Sequence, residues 1–265
     1  MRTDDTPGAG RLLREWRLRR KLSQLDLALR AETSTRHLSC VETGRARPSR
    51  EMVLRLAEHL DVPLRDRNAL LLAAGYAPAY RESPLDGGRM AMARAALRTM
   101  LLRHEPYPAA AVDGVWNLLD RNRAMSVLLD SVPPHLTESG GNVMRLVLHP
   151  DGLAPRCVNF AEVRAHALGR LRHQVAATGR PDLRDLYEEV AAYPPPPGPE
   201  PEPVDPAGIA VPLRVRTPYG VMSFFSVIAT FGAPADVTLS ELAVETFFPM
   251  DEETEARLRA FAADR

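Results

Sequence analysis

Cysteine is almost missing from this chain: Cys40 and Cys157 are its only two. Neither sits in a CxxC pair or at a histidine spacing that suits zinc, so a disulfide framework and a structural metal site are both excluded, and two passive thiols are the reading. Long hydrophobic runs are missing as well. No stretch of about 18 uncharged apolar residues occurs, and the opening MRTDDTPGAG has no signal-peptide core, so a cytoplasmic protein with no membrane partner is expected. Lysine occurs once, at Lys21, and net charge is zero because 34 basic residues balance 34 acidic ones. What is present is ordinary globular material, 45% apolar and 26% charged. At 265 residues the chain is long enough for two domains, each near the common size of roughly 100–150 residues.

The zero net charge hides an asymmetry. Residues 10–50 hold eleven basic residues against four acidic, a balance of +7, whereas residues 84–265 hold eighteen against twenty-three, a balance of −5. A basic end of this kind is the electrostatic footprint of a polyanion partner.

Residues 11–76 read as five short helices with no strand pattern. Leu12, Leu13 and Trp16 give the first its apolar stripe, and Arg19, Arg20 and Lys21 suit its C-terminus. Ser23 with Asp26 forms a capping-box pattern for the second, whose Leu27 and Ala28 face inward. Ser34 caps the third, Leu38 and Val41 are its buried pair, and Gly44 ends it. Pro48 and Ser49 open the fourth, and Asp61, Val62 and Pro63 separate it from a fifth at 64–74. The expected organisation is a disordered tail at 1–9, a basic all-helical domain at 10–76, a Pro/Gly-rich linker at 77–90 and a second domain at 91–265.

In the second domain a helix is expected at 92–103, followed by a hairpin turning in a type I′ turn at Asp113-Gly114. Helices are expected at 121–129, 142–148, 160–177 and 183–192. Residues 194–206, PPPPGPEPEPVDP, read as an exposed loop. Period-two alternation from Ile209 to Val215 marks a strand, TPYG at 217–220 a turn, and 221–231 a strand apolar on both faces and so expected to be central. Another strand at 239–248 and a helix capped by Asp251 complete an α+β domain with an antiparallel sheet of about five strands.

The segment from Ser23 to Ser49, SQLDLALRAETSTRHLSCVETGRARPS, closely resembles the Cro/C1-type, or XRE, regulators, and the resemblance covers residues 10–76. It implies an all-α, five-helix lambda-repressor-like helix-turn-helix domain that docks on a double-stranded DNA operator, with the helix after Ser34 in the major groove. By that resemblance Gln24 contacts phosphate or base, and Thr35, Arg36 and Ser39 face base edges. Arg36 is the main specificity candidate, because its planar fork can pair with guanine O6 and N7. Arg45, Arg47 and the helix start at Ser49 are expected to hold phosphates. His37 either touches the backbone or solvates the helix. The resemblance pairs Glu42 with Arg17, a role in the fold. One departure stands out: the turn position that the family usually gives to glycine is Glu32, where a left-handed backbone costs a side chain roughly 1–2 kcal/mol.

Residues 97–190 resemble the ligand-binding domain of MmyB-like regulators, through RHEPYPAAAVDGVWNLLDRNRAM, NVMRLVLHP and NFAEVRAHALGRLR. That resemblance implies a PAS-like fold able to hold a fatty acid or similar apolar acid, with no other cofactor. Tyr107, Trp116, Met125, Met144, Phe160, Phe224 and Phe225 either line such a cavity or fill a plain core. Asn122 and Arg145 are candidate polar anchors for a carboxylate, against a capping or surface role. His166, Arg170 and His173 share a helical face that reads as solvated, since no acidic or thiol ligand completes a metal set.

The resulting expectation is a dimeric, ligand-responsive DNA-binding regulator. An alternative leaves the second domain only dimerisation or protein contact. An enzyme is not expected, for no GxSxG, HExxH, P-loop or dinucleotide fingerprint is present.

Overall fold

A computed structural model describes residues 8–197 and 210–264. The chain forms two compact units, the first built mainly from residues up to Ser83, with the short segments Ala176–Thr178 and Pro234–Val237 counted with it, and the second from the rest. The first is five helices: α1 (Ala9–Arg19), α2 (Gln24–Arg30), α3 (Thr35–Glu42), α4 (Arg50–His59) and α5 (Leu64–Ala73). Helix α1 starts at Ala9, inside the segment expected as a tail; residues 1–7 lie outside the described residues.

Local chemistry sets these boundaries. The Ser23 hydroxyl accepts from the Asp26 N–H, and the Asp26 carboxylate accepts in return from the Ser23 N–H, both at 3.1 Å. Ser34 and Ser49 cap α3 and α4 by accepting from His37 and Met52 N–H. Gly44 ends α3 with φ +73. Glu32 and Asp61 take left-handed φ of 48 and 47 at the turns after α2 and α4, so the glycine-like backbone is kept at Glu32 despite its side chain. Inside, Leu13 and Trp16 of α1 meet Leu27, Leu38, Val41, Val53, Leu56 and Leu71 in one core. Burying Leu38 and Val41, the inner face of α3, contributes about 1.5–3 kcal/mol each.

The second unit opens with α6 (Ala91–Arg103), then β1 (Ala109–Val112) and β2 (Leu118–Arg121). Five helices follow: α7 (Ser126–Leu129), α8 (Pro134–Thr137), α9 (Val143–Leu148), α10 (Phe160–Thr178) and α11 (Pro181–Ala191). The chain continues through β3 (Leu213–Thr217), β4 (Gly220–Thr230), α12 (Val237–Glu241), β5 (Ala243–Pro249) and α13 (Glu252–Ala263), whose N-cap is Asp251. The strands form one antiparallel sheet in the order β2-β1-β5-β4-β3, giving the PAS-like α+β domain.

Three expectations need correction. The β1–β2 connection is not a two-residue turn at Asp113-Gly114. It runs to Asn117, because Asp113 Oδ1 accepts from the N–H groups of Val115 and Asn117 at 2.9 and 2.8 Å and wraps the chain into a longer loop, whose positive φ falls on Trp116 (φ 69). Strand β4 is interior, paired with β3 on one side and β5 on the other, and β5 lies in the middle of the five, between β1 and β4. Residues 239–241 are helical, so β5 starts only at Ala243. Strand β3 likewise starts at Leu213, just past Pro212, which has no N–H for a ladder. Ile209 and residues 198–206 of the proline-rich stretch lie outside the described residues.

Side chains alternate across this sheet and divide its two faces. Ala109, Ala111 and Val244 pack with Leu97 and Leu101 of α6. Ala110, Phe224 and Phe247 face the other way, into a cluster with Met125, Leu128, Leu146 and, from α13, Leu258 and Phe261. A third cluster joins Trp116, Met144 and Leu148 to Val163, Ala167 and Leu171 of α10 and Leu186 of α11.

Candidate functional site

Helix α3 presents two different faces. Leu38, Val41 and Glu42 are buried; Arg36 and His37 are exposed, and Thr35 and Ser39 are half-buried beside them. The guanidinium groups of Arg36 and, past Gly44, of exposed Arg45 have no carboxylate partner among the described residues. These two exposed arginines, with the backbone N–H groups at the α4 start past Ser49, are candidate contacts for a polyanion.

Other residues expected to face DNA are used by the fold. Arg17 donates from Nε and Nη2 to the two carboxylate oxygens of Glu42 at 2.7 and 2.8 Å, and Gln24 Nε2 donates to the same carboxylate at 2.8 Å. Burial on its own would raise the Glu42 carboxyl, but the bonds from Arg17 and Gln24 and the charges of Arg17 and Arg14 hold it below its ordinary value. Gln24 therefore has its amide nitrogen committed inward. Arg47 turns away as well: Nε and Nη2 donate to the Ala74 carbonyl at 3.1 and 2.9 Å, closing the C-terminus of α5, and the guanidinium lies 5.2 Å from the Tyr76 ring centre. The expectation of a phosphate ligand at Arg47 gives way to this clamp, whose acceptor is an orphan helix carbonyl.

The second unit holds a half-open cavity of about 100 Å³ between the sheet, α9 and α10. Its walls include Trp116, Met125, Leu128, Met144, Leu146 and Phe247, with polar groups confined to His166, Arg170, Ser226 and Glu245. Trp116, Met125 and Met144 were expected there; the remaining six expected lining residues sit elsewhere. Phe224 is fully buried in the adjoining core and Phe160 packs in the α10 cluster. Phe225, next to Phe224 on the strand, points to the opposite face and stacks on Phe248 with ring centres 5.2 Å apart. Tyr107 donates its hydroxyl to Glu255 at 2.9 Å.

Neither expected anchor reaches the cavity. Asn122 is a buried corner brace: its Oδ1 accepts from Ala109 and Met125 N–H, and its Nδ2 donates to the Tyr107 carbonyl at 2.7 Å. Arg145 is half-exposed and forms a two-point pair with Glu189 at 2.8 and 2.7 Å. The anchor-type groups come instead from α10 and β5. Arg170 Nη1 lies 3.9 Å from Glu245 Oε1, its Nη2 is 3.0 Å from His166 Nε2, and the guanidinium sits 5.3 Å from the Trp116 ring centre. Desolvation pushes the Glu245 carboxyl up, against the pull of Ser226 and Arg170, while desolvation and then the Arg170 charge push the His166 imidazole down. Both shifts favour neutral groups around a single persistent cation. Two sequence signals pointed here: Arg170 lies three residues past Ala167 on the buried Val163/Ala167 face of α10, and Glu245 is a lone acid inside the apolar strand AVETFFP.

Trp116 forms one wall under constraint. Its backbone takes φ 69, a rare conformation for a bulky residue, and its indole Nε1 donates to Gln174 Oε1 at 2.8 Å. The loop is fixed from behind by Asn142, which donates to the Val115 carbonyl at 2.8 Å. Away from the cavity, His135, His149 and Asp151 bring metal-ligand atoms within 4.8 Å of one another, but the Asp151 N–H donates to His149 Nδ1 at 3.0 Å and occupies that lone pair. Among the described residues no helix is long and apolar enough to cross a membrane.

Comparison with known proteins agrees with this division. The family described as "MmyB-like transcription regulator ligand binding domain" matches residues 93–261, and that described as "Helix-turn-helix domain" matches residues 9–70; both are regulatory rather than enzymatic. No curated protein matches the chain. Among solved structures it is similar to an RNA-binding light-oxygen-voltage receptor, at 13% identity and a TM-score of 0.27, over 96% of this chain and 63% of that one. Since the ligand-binding match alone spans more than half of the residues, the chain belongs to the MmyB-like transcription regulators, DNA-binding proteins that join a helix-turn-helix domain to a ligand-binding domain.

Proposed function

We propose that this regulator reads a specific duplex operator with α3 and that an apolar carboxylic acid of the fatty-acid kind, held in the second-unit cavity, controls its grip. Arg36 carries base discrimination, with Thr35 and Ser39 beside it; Arg45 and the α4 start at Ser49 hold phosphates. The observation that carries the effector half is the cavity itself, apolar everywhere except around Arg170, His166, Ser226 and Glu245. Arg170 is the anchor, because a half-buried guanidinium, its side chain 28% exposed, next to groups that favour their neutral forms is a ready receptor for a carboxylate.

The working form is a homodimer. Paired recognition helices must meet half-sites about 34–36 Å apart, so a small change of pose spoils simultaneous docking and one ligand suffices to change affinity. The test is operator affinity of the full chain with and without apolar acids. A change supports effector control; none for any acid leaves the second unit dimerisation or protein contact alone.

A further inference from the structure

We propose that the effector is a hydroxy fatty acid, with a hydroxyl on the second or third carbon of its chain, and that Glu245 and Ser226 read that hydroxyl while Arg170 holds the carboxylate. This rests on the effector reading above and narrows it. The first argument is where polarity sits. Glu245 is 8% exposed and lines a cavity whose other walls are apolar except at Arg170, His166 and Ser226. A plain alkyl chain laid against those walls would shield the Glu245 carboxyl further from water and give it nothing in return, which is costly. A hydroxyl on the chain turns the same contact into a hydrogen bond.

The second argument is spare bonding capacity. The Ser226 hydroxyl bonds to the Glu245 carboxyl. Arg170 Nη1 stands 3.9 Å from Glu245 Oε1, beyond the roughly 2.7–3.2 Å of a direct bond. A neutral carboxyl, the form that burial favours here, has an O–H donor and several acceptor positions, so the single bond to Ser226 does not exhaust it. A hydroxyl, both donor and acceptor, complements what is left. Third, the register places the groups together. Ser226 pairs with Phe247 across the β4–β5 ladder, and Glu245 is two residues from Phe247, so all three share the cavity face of the sheet. A carboxylate on half-exposed Arg170 therefore sits beside Glu245 and Ser226, and the hydroxyl that reaches them is one near the head of the chain. The tail runs on along Met125, Leu128 and Leu146, and because the cavity is half-open it is not confined to the enclosed volume.

The experiment is calorimetric titration of the full-length, solvent-extracted protein with decanoate and its 2-hydroxy, 3-hydroxy and 10-hydroxy derivatives. Expected is that the 2-hydroxy or the 3-hydroxy acid binds about tenfold or more tighter than decanoate, while the 10-hydroxy acid, its hydroxyl out of reach of Glu245, gains nothing. Glu245→Leu should bring the ratio between hydroxy acid and decanoate close to one, and Glu245→Gln, which keeps a hydrogen-bonding head, should retain part of it. The comparison of the four acids on the wild type stands even where the Leu variant fails to fold. Decanoate binding as tightly as both near-head hydroxy acids would overturn the hydroxyl inference and leave fatty-acid control standing, and an undiminished preference in folded Glu245→Leu would overturn the role of Glu245. Failure of all four acids to bind would remove the effector reading as well.

Discussion

Arg17 and Glu42 form a two-point ion pair, at 2.7 and 2.8 Å, that ties the first helix of the DNA-binding unit to the recognition helix with side chains only 8% and 1% exposed. The pair fixes how far α3 can rotate, and so where Arg36 points. Leaving one charge buried alone is costly, so Glu42→Ala should lose about 3–5 kcal/mol, whereas the double change Arg17→Met, Glu42→Leu should recover most of that loss. Urea denaturation of the two variants checks the ordering. Because the Glu42 carboxyl titrates below its ordinary value when folded, its contribution is present at neutral pH and disappears as pH falls through that depressed value. The acid loss should be absent in the double variant.

DNA contacts should separate by kind. Arg36→Ala should cost about 1–3 kcal/mol on the preferred operator and flatten discrimination among sequences. Arg45→Ala should weaken all duplexes alike and reduce the slope of log affinity against log salt by about one unit. Fluorescence anisotropy across a salt series distinguishes the two.

Arg47→Ala should behave differently from both. Its fork serves the Ala74 carbonyl, so the salt slope should stay unchanged while stability falls by about 0.5–1.5 kcal/mol per lost bond. Thermal melting of the free protein reads this directly.

In the cavity, Glu245 is hydrogen-bonded to Ser226 and faces Arg170 and His166, and desolvation already raises its carboxyl. An incoming carboxylate raises it further, so acid binding is accompanied by proton uptake and weakens as pH climbs above the free-state value. Glu245→Gln should flatten that pH dependence in titration calorimetry. It should also stabilise the free protein at high pH, since a carboxyl raised by folding loses stability as pH rises through its folded value.

Glu32 carries a left-handed backbone at the helix-turn-helix turn. Glu32→Gly should relieve roughly 1–2 kcal/mol of strain against roughly 0.5–1 kcal/mol of added chain entropy. The expected net is a small rise in melting temperature with unchanged operator choice.

What was legible in the sequence is what short-range chemistry decides. Ser23 with Asp26, Ser34, Ser49, Gly44 and Asp251 each act on backbone within four residues, and the corresponding helix ends fall where those residues put them. The tight turn expected at Asp113-Gly114 failed because Asp113 uses its side chain on its own loop, and pairing of β5 between β1 and β4 depends on contacts more than a hundred residues apart in the first case. Asn122 takes the capping alternative, accepting from the Met125 N–H three residues on, whereas distance hid the role of Arg47, whose partner is the Ala74 carbonyl. His166 and Arg170 read as a solvated face because no acidic or thiol residue near them in sequence completes a metal set; their phase relative to Val163 and Ala167 places them at the cavity, where the acid that faces them, Glu245, comes from a distant strand.

The most direct measurement is operator affinity of the full chain, wild type and Arg170→Met side by side, with and without a saturating fatty acid. The account predicts a ligand-dependent change of affinity in the wild type and none in the variant, with both proteins binding the operator in the ligand's absence. Operator affinity indifferent to every acid in the wild type, or an equal response in the two proteins, would contradict it.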